Sequence, residues 1–529
     1  MAVLVSRMET RLPPCVLFED EHLLVVNKPP GLNTHAPAPY AGEGLYDWLR
    51  HREPRWSRLA IVHRLDKETS GLMIFAKTAL ACQSLTAQFT RRQVHKRYVF
   101  RTRGTPPRPT WSVTSEIIRA GEHYLSRPAR DPATAAVTRF TVLSRGATSE
   151  IEARPLTGRT HQIRVHAAAS GCPIVGDVLY GGPPAHRVEL HAAEMALHHP
   201  ATGLPLRWQA PPDFAADPAR ARRQAFIHPE ETTAFRRWHG AADGHPGLYL
   251  EAWGDFDLLH AAAPPSHLRA PPGGGLYFQP RLPVVRGKPP QEVAPRLLDG
   301  RAAPPAFTVR ENGVAYEIRF TEGCSVGLFL DQRDNRRRLL TAHVARDFPL
   351  YLPPPPHEVL NVFAYTCAFS VCAALGGARA TSLDLSRKYL DWGRRNFALN
   401  HLDPAAHDFI YGDAFAWLKR LARKARQFAV VILDPPTFSQ SREHGVFRAE
   451  KDFPNLVRLA LPLLRPDGVL LASTNAAALP PARFVEMIHA AAQAAGRRIR
   501  QQHYVPQPPD FPITREEPAH LKTLWLRLS

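Results

Sequence analysis

Asp66 stands between Arg64 and Lys67 in the stretch HRLDKETSG (63–71). A carboxylate needs no such flanks to be a solvated surface charge. Flanked by cations it stays ionised and is aimed at an anionic ligand. Two other stretches carry side chains that could serve it. VHKRYVF (94–100) alternates as a strand with Lys96 and Tyr98 on one face. LTGRTHQIRVH (156–166) is predicted as a Gly-Arg turn and a strand, with His161 opposite Gln162 and Arg164 sharing a face with Gln162 and His166. Taken singly, an Asp beside an Arg is a surface ion pair of small worth, and a strand tyrosine is core. Together they supply one carboxylate, several cations, an aromatic ring and a placed arginine. That set suits a nucleophilic carboxylate attacking an electrophilic carbon in a polyanion.

A second set lies further on. HEVLNVFA (357–364) is an apolar strand ending in the turn YTCAF, followed by a helix-like run to LGGA (375–378). The next strand, ATSLDLS, puts Asp384 at its carboxyl end, 21 residues after Phe363. That is close to the ~20 between a nucleotide-binding turn and a ribose-binding acid. GDAF with Asp413, FAVVILDPPTF (428–438) with Asp434 and Pro435, and GVLLASTN (468–475) continue an alternation that predicts a parallel sheet with helices on both faces. The plain alternative is a doubly wound fold with an unrelated ligand. The LDPPTF stretch weighs against it: an Asp leaving a buried strand before two prolines makes a rigid ledge, and Phe438 offers a ring for stacking.

These elements belong to a chain of 529 residues, too long for one ordinary core. Composition divides it at about 225, where strands and turns give way to short strands among proline-rich stretches (AAAPPSHLRAPPGGG, RGKPPQEVAPR), and again at the tetraproline 353–356. The expected domains are 1–225, a small β-rich domain or linker over 226–345, and 346–529. Hydrophobic residues make up 44%, which excludes a mainly disordered chain. A formal charge of +19 points to nucleic acid or an anionic surface. No apolar run is long enough to span a bilayer, and MAVLVSRMETRLPP lacks the pattern of a secretory leader. The six cysteines (Cys15, Cys82, Cys172, Cys324, Cys367, Cys372) form no CxxC pair and read as reduced thiols of a cytoplasmic protein. No metal site is expected, and oligomeric state is not legible.

HRLDKETSGLM (63–73), LTGRTHQIRVHAAASGCPIVGDVLYGG (156–182), the EDEHLLVVNKPPG opening and ELHAAEMALHHP (189–200) resemble the signature segments of the RluA family of RNA pseudouridine synthases, in the family's order. The resemblance covers 15 to about 212 and implies an α+β fold on a mixed, mainly antiparallel sheet. It implies isomerisation of uridine in RNA without a cofactor. Asp66 would attack the target nucleotide, Tyr98 would pack on the flipped base and move a proton, and Arg164 would pair with Asp66 and keep it charged. Arg64 would fill the gap left by the extruded nucleotide. Many relatives carry a small RNA-binding domain ahead of this pattern; here RNA grip is expected from the catalytic domain or the second half.

Residues 226–529, including EGCSVGLFLDQRDNR (322–336), resemble class I S-adenosylmethionine-dependent methyltransferases of the RlmI and RlmK kind, with a Rossmann-like α/β sheet. The resemblance implies that Asp384 binds the cofactor's ribose, that Asp413 approaches its adenine, and that Phe363, Tyr365 and Thr366 pass its methionine part. Asp434 and Pro435 would line the methyl-transfer site, with Asp331, Gln332 and Arg333 nearby. The family commonly has Gly where this chain has Cys367, because the backbone passes close to the ligand. Methylating pyrimidine carbon 5 needs a thiolate, yet Ser473, Thr474 and Asn475 stand where one is expected and none flanks DPPTF. Guanine N7 needs only positioning and is favoured; an exocyclic amine is the alternative. The whole reads as a bifunctional modifier of ribosomal RNA. The rivals are a synthase whose second half only binds RNA, and an idle ribosome-assembly factor.

Overall fold

The computed structural model describes residues 11–131, 134–281, 290–323, 325–441 and 445–529. Cys324, the opening ten residues and the start of RGKPPQEVAPR lie outside these. The apolar strand Leu23–Lys28 and the wholly buried SGLMIFA strand Ser70–Ala76 pair antiparallel toward one end of an eleven-stranded sheet. Their side chains alternate between two cores: Leu24, Val26, Met73 and Phe75 enter one, and Leu23, Val25, Leu72 and Ile74 the other. Strand geometry therefore needs apolar residues on both faces over 23–26 and 72–76, which is what the sequence supplies. Ser70–Ala76 also pairs parallel with Leu190–His198, while the neighbouring pairings, His95–Thr102 among them, are antiparallel. The expected mixed, mainly antiparallel sheet is what forms.

One expected element is different. LTGRTHQIRVH does not continue as a strand: Gln162–Ala169 is a helix, entered through His161 at φ 55°. Gln162 Oε1 accepts from the Arg159 amide (3.0 Å) and from Thr157 Oγ1 (2.7 Å), which closes the turn ahead of it. Gln162 to Ala167 are all buried, so no polar face existed for an alternating pattern to mark, and the alanines that follow favour helix.

A five-stranded sheet between Ala234 and Gly300 and the hairpin Phe307–Glu311/Val314–Ile318 come next. The last sheet has seven strands in the order Asp408–Tyr411, Arg379–Asp384, Glu358–Val362, Phe428–Leu433, Leu464–Thr474, Lys522–Leu528, Ile499–Val505. The first five run parallel and Lys522–Leu528 antiparallel to both neighbours. Strand order reverses between Glu358–Val362 and Phe428–Leu433, which opens a crevice at their carboxyl ends.

Between the first and last sheets lies the helix Arg333–Thr341, with Arg333, Asp334, Arg336, Arg337 and Arg338 all buried. No helix among the described residues is long and apolar enough to cross a membrane.

Two candidate active sites

The loop carrying Asp66 is held from below. Lys28, fully buried, donates from Nζ to the carbonyls of Pro29 (3.0 Å), Leu32 (2.8 Å) and Lys67 (3.1 Å). This ties the Lys-Pro-Pro-Gly turn to the loop, and burial pulls the ammonium down to about 7. Thr34 Oγ1 donates to the Leu65 carbonyl at 2.9 Å, and His63 Nε2 accepts from the Ile74 amide at 3.0 Å. The aspartate is thus presented on a clamped backbone.

Its charged surroundings come from Arg164, as well as from groups other than the flanking Arg64 and Lys67. Arg64 is exposed and reaches Thr160 Oγ1 (3.1 Å), and Lys67 is exposed. The groups that act on the Asp66 carboxyl are His161, Arg164, Glu68 and Lys28. Arg164 Nη1 stands 3.8 Å and His161 Nε2 4.0 Å from Asp66 Oδ2. Arg164 spends its fork on Asp177, through Nε at 2.6 Å and Nη2 at 2.7 Å, and the third nitrogen is shared between Asp66 and Glu68, which stands 3.6 Å from it. Burial raises the Asp66 carboxyl above its ordinary range, and the nearby cations offset this only in part. The expected cation, Arg164, stands beside Asp66, and desolvation of the carboxyl opposes it. Tyr98, buried on His95–Thr102, is raised by burial and then by the charge of Asp66. Tyr180 Oη accepts from the Tyr124 amide (3.0 Å) and contacts His161 Nδ1 (2.7 Å). With Nδ1 accepting from Tyr180, the imidazole turns an N–H toward Asp66.

Lys28, Glu68, Asp177 and Tyr180 had no assigned role in the sequence reading. All four sit inside stretches that it singled out, NKPPG, HRLDKETSG and GDVLYGG, but nothing in a linear pattern says that Asp177 claims the arginine.

The second site is a cavity of about 310 Å³ at the crevice of the seven-stranded sheet. At one end Asp384 Oδ2 accepts from the Tyr365 amide (2.8 Å) and Oδ1 from the Ser386 amide (2.9 Å). Burial raises this carboxyl against those two bonds. Asp413 caps the helix Ala414–Arg423, accepting from the Ala416 amide at 3.1 Å, and also lines the wall. Phe363, Tyr365 and Cys367 are all left-handed (φ 61°, 47° and 62°), a strained loop of the kind found where backbone must approach a ligand. Phe363 and Tyr365 line the cavity. Thr366 does not: it is buried and gives its hydroxyl to the Gly327 carbonyl at 2.6 Å.

At the other end stand Asp331, Gln332, Asp434, Pro435, Pro436 and Asn475. Asp434 Oδ1 accepts from Gln332 Nε2 (3.1 Å), and burial followed by the Asp331 charge lifts the carboxyl to about 7. His520, unforeseen in the sequence, puts Nε2 3.2 Å from Asp331 Oδ2. Arg333, next to Gln332, gives its guanidinium to Asp510 (Nη1–Oδ2 2.9 Å), and Phe438, in the strand Phe438–Ser441, is not on the wall, against expectation. The wall aromatics are Phe329, Phe363, Tyr365, Tyr389, Phe415 and Phe447. None of the described cysteines lines the cavity; Cys372 lies against Tyr316 Oη at 3.1 Å. The described cysteines are all free.

Residues 22–169 match the RNA pseudouridylate synthase family, and residues 281–527 the S-adenosylmethionine-dependent methyltransferase family. A ribosomal RNA large subunit methyltransferase of Deinococcus radiodurans is 31% identical over 351 residues, covering 62% of this chain and 81% of that protein. Ribosomal RNA large subunit methyltransferase I of Pseudoalteromonas atlantica is 30% identical over 311 residues, 57% of this chain and 75% of that protein. Among solved structures, human RNA pseudouridylate synthase domain containing 1 is 28% identical, covering 38% of this chain and 83% of its own, with a TM-score of 0.33.

Proposed function

The chain belongs to the ribosomal RNA large subunit methyltransferase family and carries an RNA pseudouridylate synthase domain ahead of its methyltransferase domain; from that premise we propose that it isomerises uridine and methylates guanine N7 in ribosomal RNA. Two separate sites, one around Asp66 at the first sheet and one cavity at the crevice of the last, support a bifunctional enzyme.

In the first site Asp66 is the nucleophile toward the target nucleotide. The bond from ribose to uracil nitrogen breaks, the ring turns, and a bond to ring carbon 5 replaces it. The proton leaving that carbon and the one gained by the freed nitrogen balance, so the product is an isomer. Tyr98, beside Asp66, packs on the base and serves the proton transfer. Arg164, steadied by Asp177, orients the carboxylate, and exposed Arg64 fills the vacated stack.

The cavity of the seven-stranded sheet has the size and the polar ends to fit S-adenosylmethionine. Bound there, the cofactor supplies an electrophilic methyl group. Asp384 would accept from ribose hydroxyls, Asp413 would face the adenine, and Phe363 and Tyr365 would flank the methionine part. Asp434 and Pro435 would form the wall on which the base rests. The observation that carries N7 is the acceptor end itself, whose lining offers Asn475 and carboxylates and no described thiol. A second reading, methylation of an exocyclic amine, is favoured by Asp434 and the Asp331–His520 pair, which could take the proton such a reaction releases. Unmodified ribosomal RNA incubated with the protein and labelled cofactor should yield pseudouridine and 7-methylguanine. Absence of both products refutes the reading.

A further inference from the structure

We propose that Trp48 and Glu53, in the synthase domain, are positioning residues for methyl transfer, acting through the helix Arg333–Thr341 on Gln332 and Asp434. The inference rests on the methyltransferase reading above. Gln332 ends the short turn Leu330–Gln332, which runs directly into that helix. Its amide orientation is set by a chain of bonds. The Trp525 indole can only donate, so Asn335 Oδ1 accepts from it at 3.1 Å. Asn335 Nδ2 then donates to Gln332 Oε1 (2.7 Å), which leaves Gln332 Nε2 to donate to Asp434 Oδ1 (3.1 Å) and Ser473 Oγ (2.8 Å). Both amides move with the helix, so the acceptor wall is as well placed as the helix is.

The helix is held by charge. It buries four arginines and one aspartate, a formal excess of three positive charges in nine residues. Such a group is stable only where counter-charges meet it. Asp510 faces Arg333 and Glu311 takes Arg336 in a fork (2.7 Å for both bonds), both from the methyltransferase part. The other two come from the synthase domain: Glu53 pairs with Arg337, and Glu43 stands 3.8 Å from Arg338. The Trp48 indole donates to Asp334 Oδ2 at 3.1 Å, with the Arg52 guanidinium 4.8 Å above the ring. Half of the helix's counter-charge, and a directed bond besides, thus belongs to the other enzyme of the chain.

The test uses the full chain with Trp48→Phe, Glu53→Gln and the pair. Trp48→Phe keeps the ring on Phe226 (centroids 4.6 Å apart) and deletes only the N–H. In the double variant kcat for methyl transfer should fall by about tenfold to a hundredfold, the scale of a small misplacement at a reacting centre. Affinity for S-adenosylmethionine should hold, because Asp384 and Asp413 stand on other elements, and pseudouridine formation should be unchanged. Amide exchange across 330–336 should accelerate. Glu53→Asp, which keeps the charge, should recover most of the turnover. Unchanged turnover together with unchanged exchange overturns the proposal. If the unaltered protein methylates no RNA, the function above has failed instead, and the exchange result alone decides the coupling.

Discussion

The thiol of Cys367 fills the space that a side chain on Gly393 would need: a carbon added at Gly393 would collide with Cys367 Sγ and Cβ. Cys367 is left-handed and fully buried at the start of Ala368–Leu375, and Gly393 faces it from the helix Arg387–Leu399. Cys367 is therefore accommodated by a glycine on the neighbouring helix.

Gly393→Ala should accordingly destabilise the chain. Alanine in a helix ordinarily gains about 1 kcal/mol over glycine, but overpacking here should cost about 1–3 kcal/mol and push the loop 363–367 into the cofactor's space. Cys367→Gly in the same chain should restore both stability and cofactor affinity, a coupling of about 1 kcal/mol or more in a double-mutant cycle. Additive effects by denaturation and calorimetry would refute the contact.

Asp66 ties activity to a stability cost with a definite sign. Its folded carboxyl binds a proton more tightly than the ordinary value of 3.8, because burial outweighs the cations. The stability it contributes is present at low pH and is lost as pH rises through the raised value. Asp66→Asn should be more heat-stable than the parent at pH 8, with the gap narrowing as pH falls through that value. The same variant should bind RNA and form no pseudouridine. Retained turnover, or a gap that widens in acid, would count against the assignment.

Much of this was legible in the sequence, for identifiable reasons. Apolar runs such as SGLMIFA and FAVVIL are long enough that only buried strands can use them, and Asp384 and Asp413 follow their strands at fixed offsets. Gln162–Ala169 was misread because a helix buried on all sides carries no polar stripe, so its period is invisible. Arg164's second partner, Asp177, was not foreseen because a fork has more than one claimant and sequence distance does not rank them. His520 on Asp331 joins positions 189 residues apart, which no local pattern records.

Asp384 holds the loop as well as its proposed ligand, accepting from the Tyr365 and Ser386 amides. Asp384→Ala should lower S-adenosylmethionine affinity at least tenfold, in line with about 1.5–3 kcal/mol for each charge-assisted hydrogen bond lost. Pseudouridine formation, on a separate sheet, should persist. Calorimetry and an isomerisation assay on one preparation decide it; equal affinity removes Asp384 from the site.

The methylated atom can be read from proton balance. Transfer to guanine N7 moves the positive charge from sulfur to the base and releases no proton, whereas transfer to an amine or to pyrimidine carbon 5 releases one. At pH 6, well-buffered indicator measurements should therefore show almost no proton release per methyl group transferred. Under the N7 reading the rate should also vary little with pH through 7, although the Asp434 carboxyl sits at about 7, because no base is required. A rate that climbs through 7 and collapses in Asp434→Asn would instead make that carboxylate the proton acceptor of an amine methylation. Cys324 adjoins Ser325 of the cavity wall in sequence, so Cys324→Ser belongs in the same series. It should leave turnover intact, since the N7 lone pair lies in the ring plane and needs no added nucleophile. Loss of turnover in Cys324→Ser, with one proton released and 5-methylcytosine in the product, would overturn N7 and name the thiol that the acceptor end otherwise lacks.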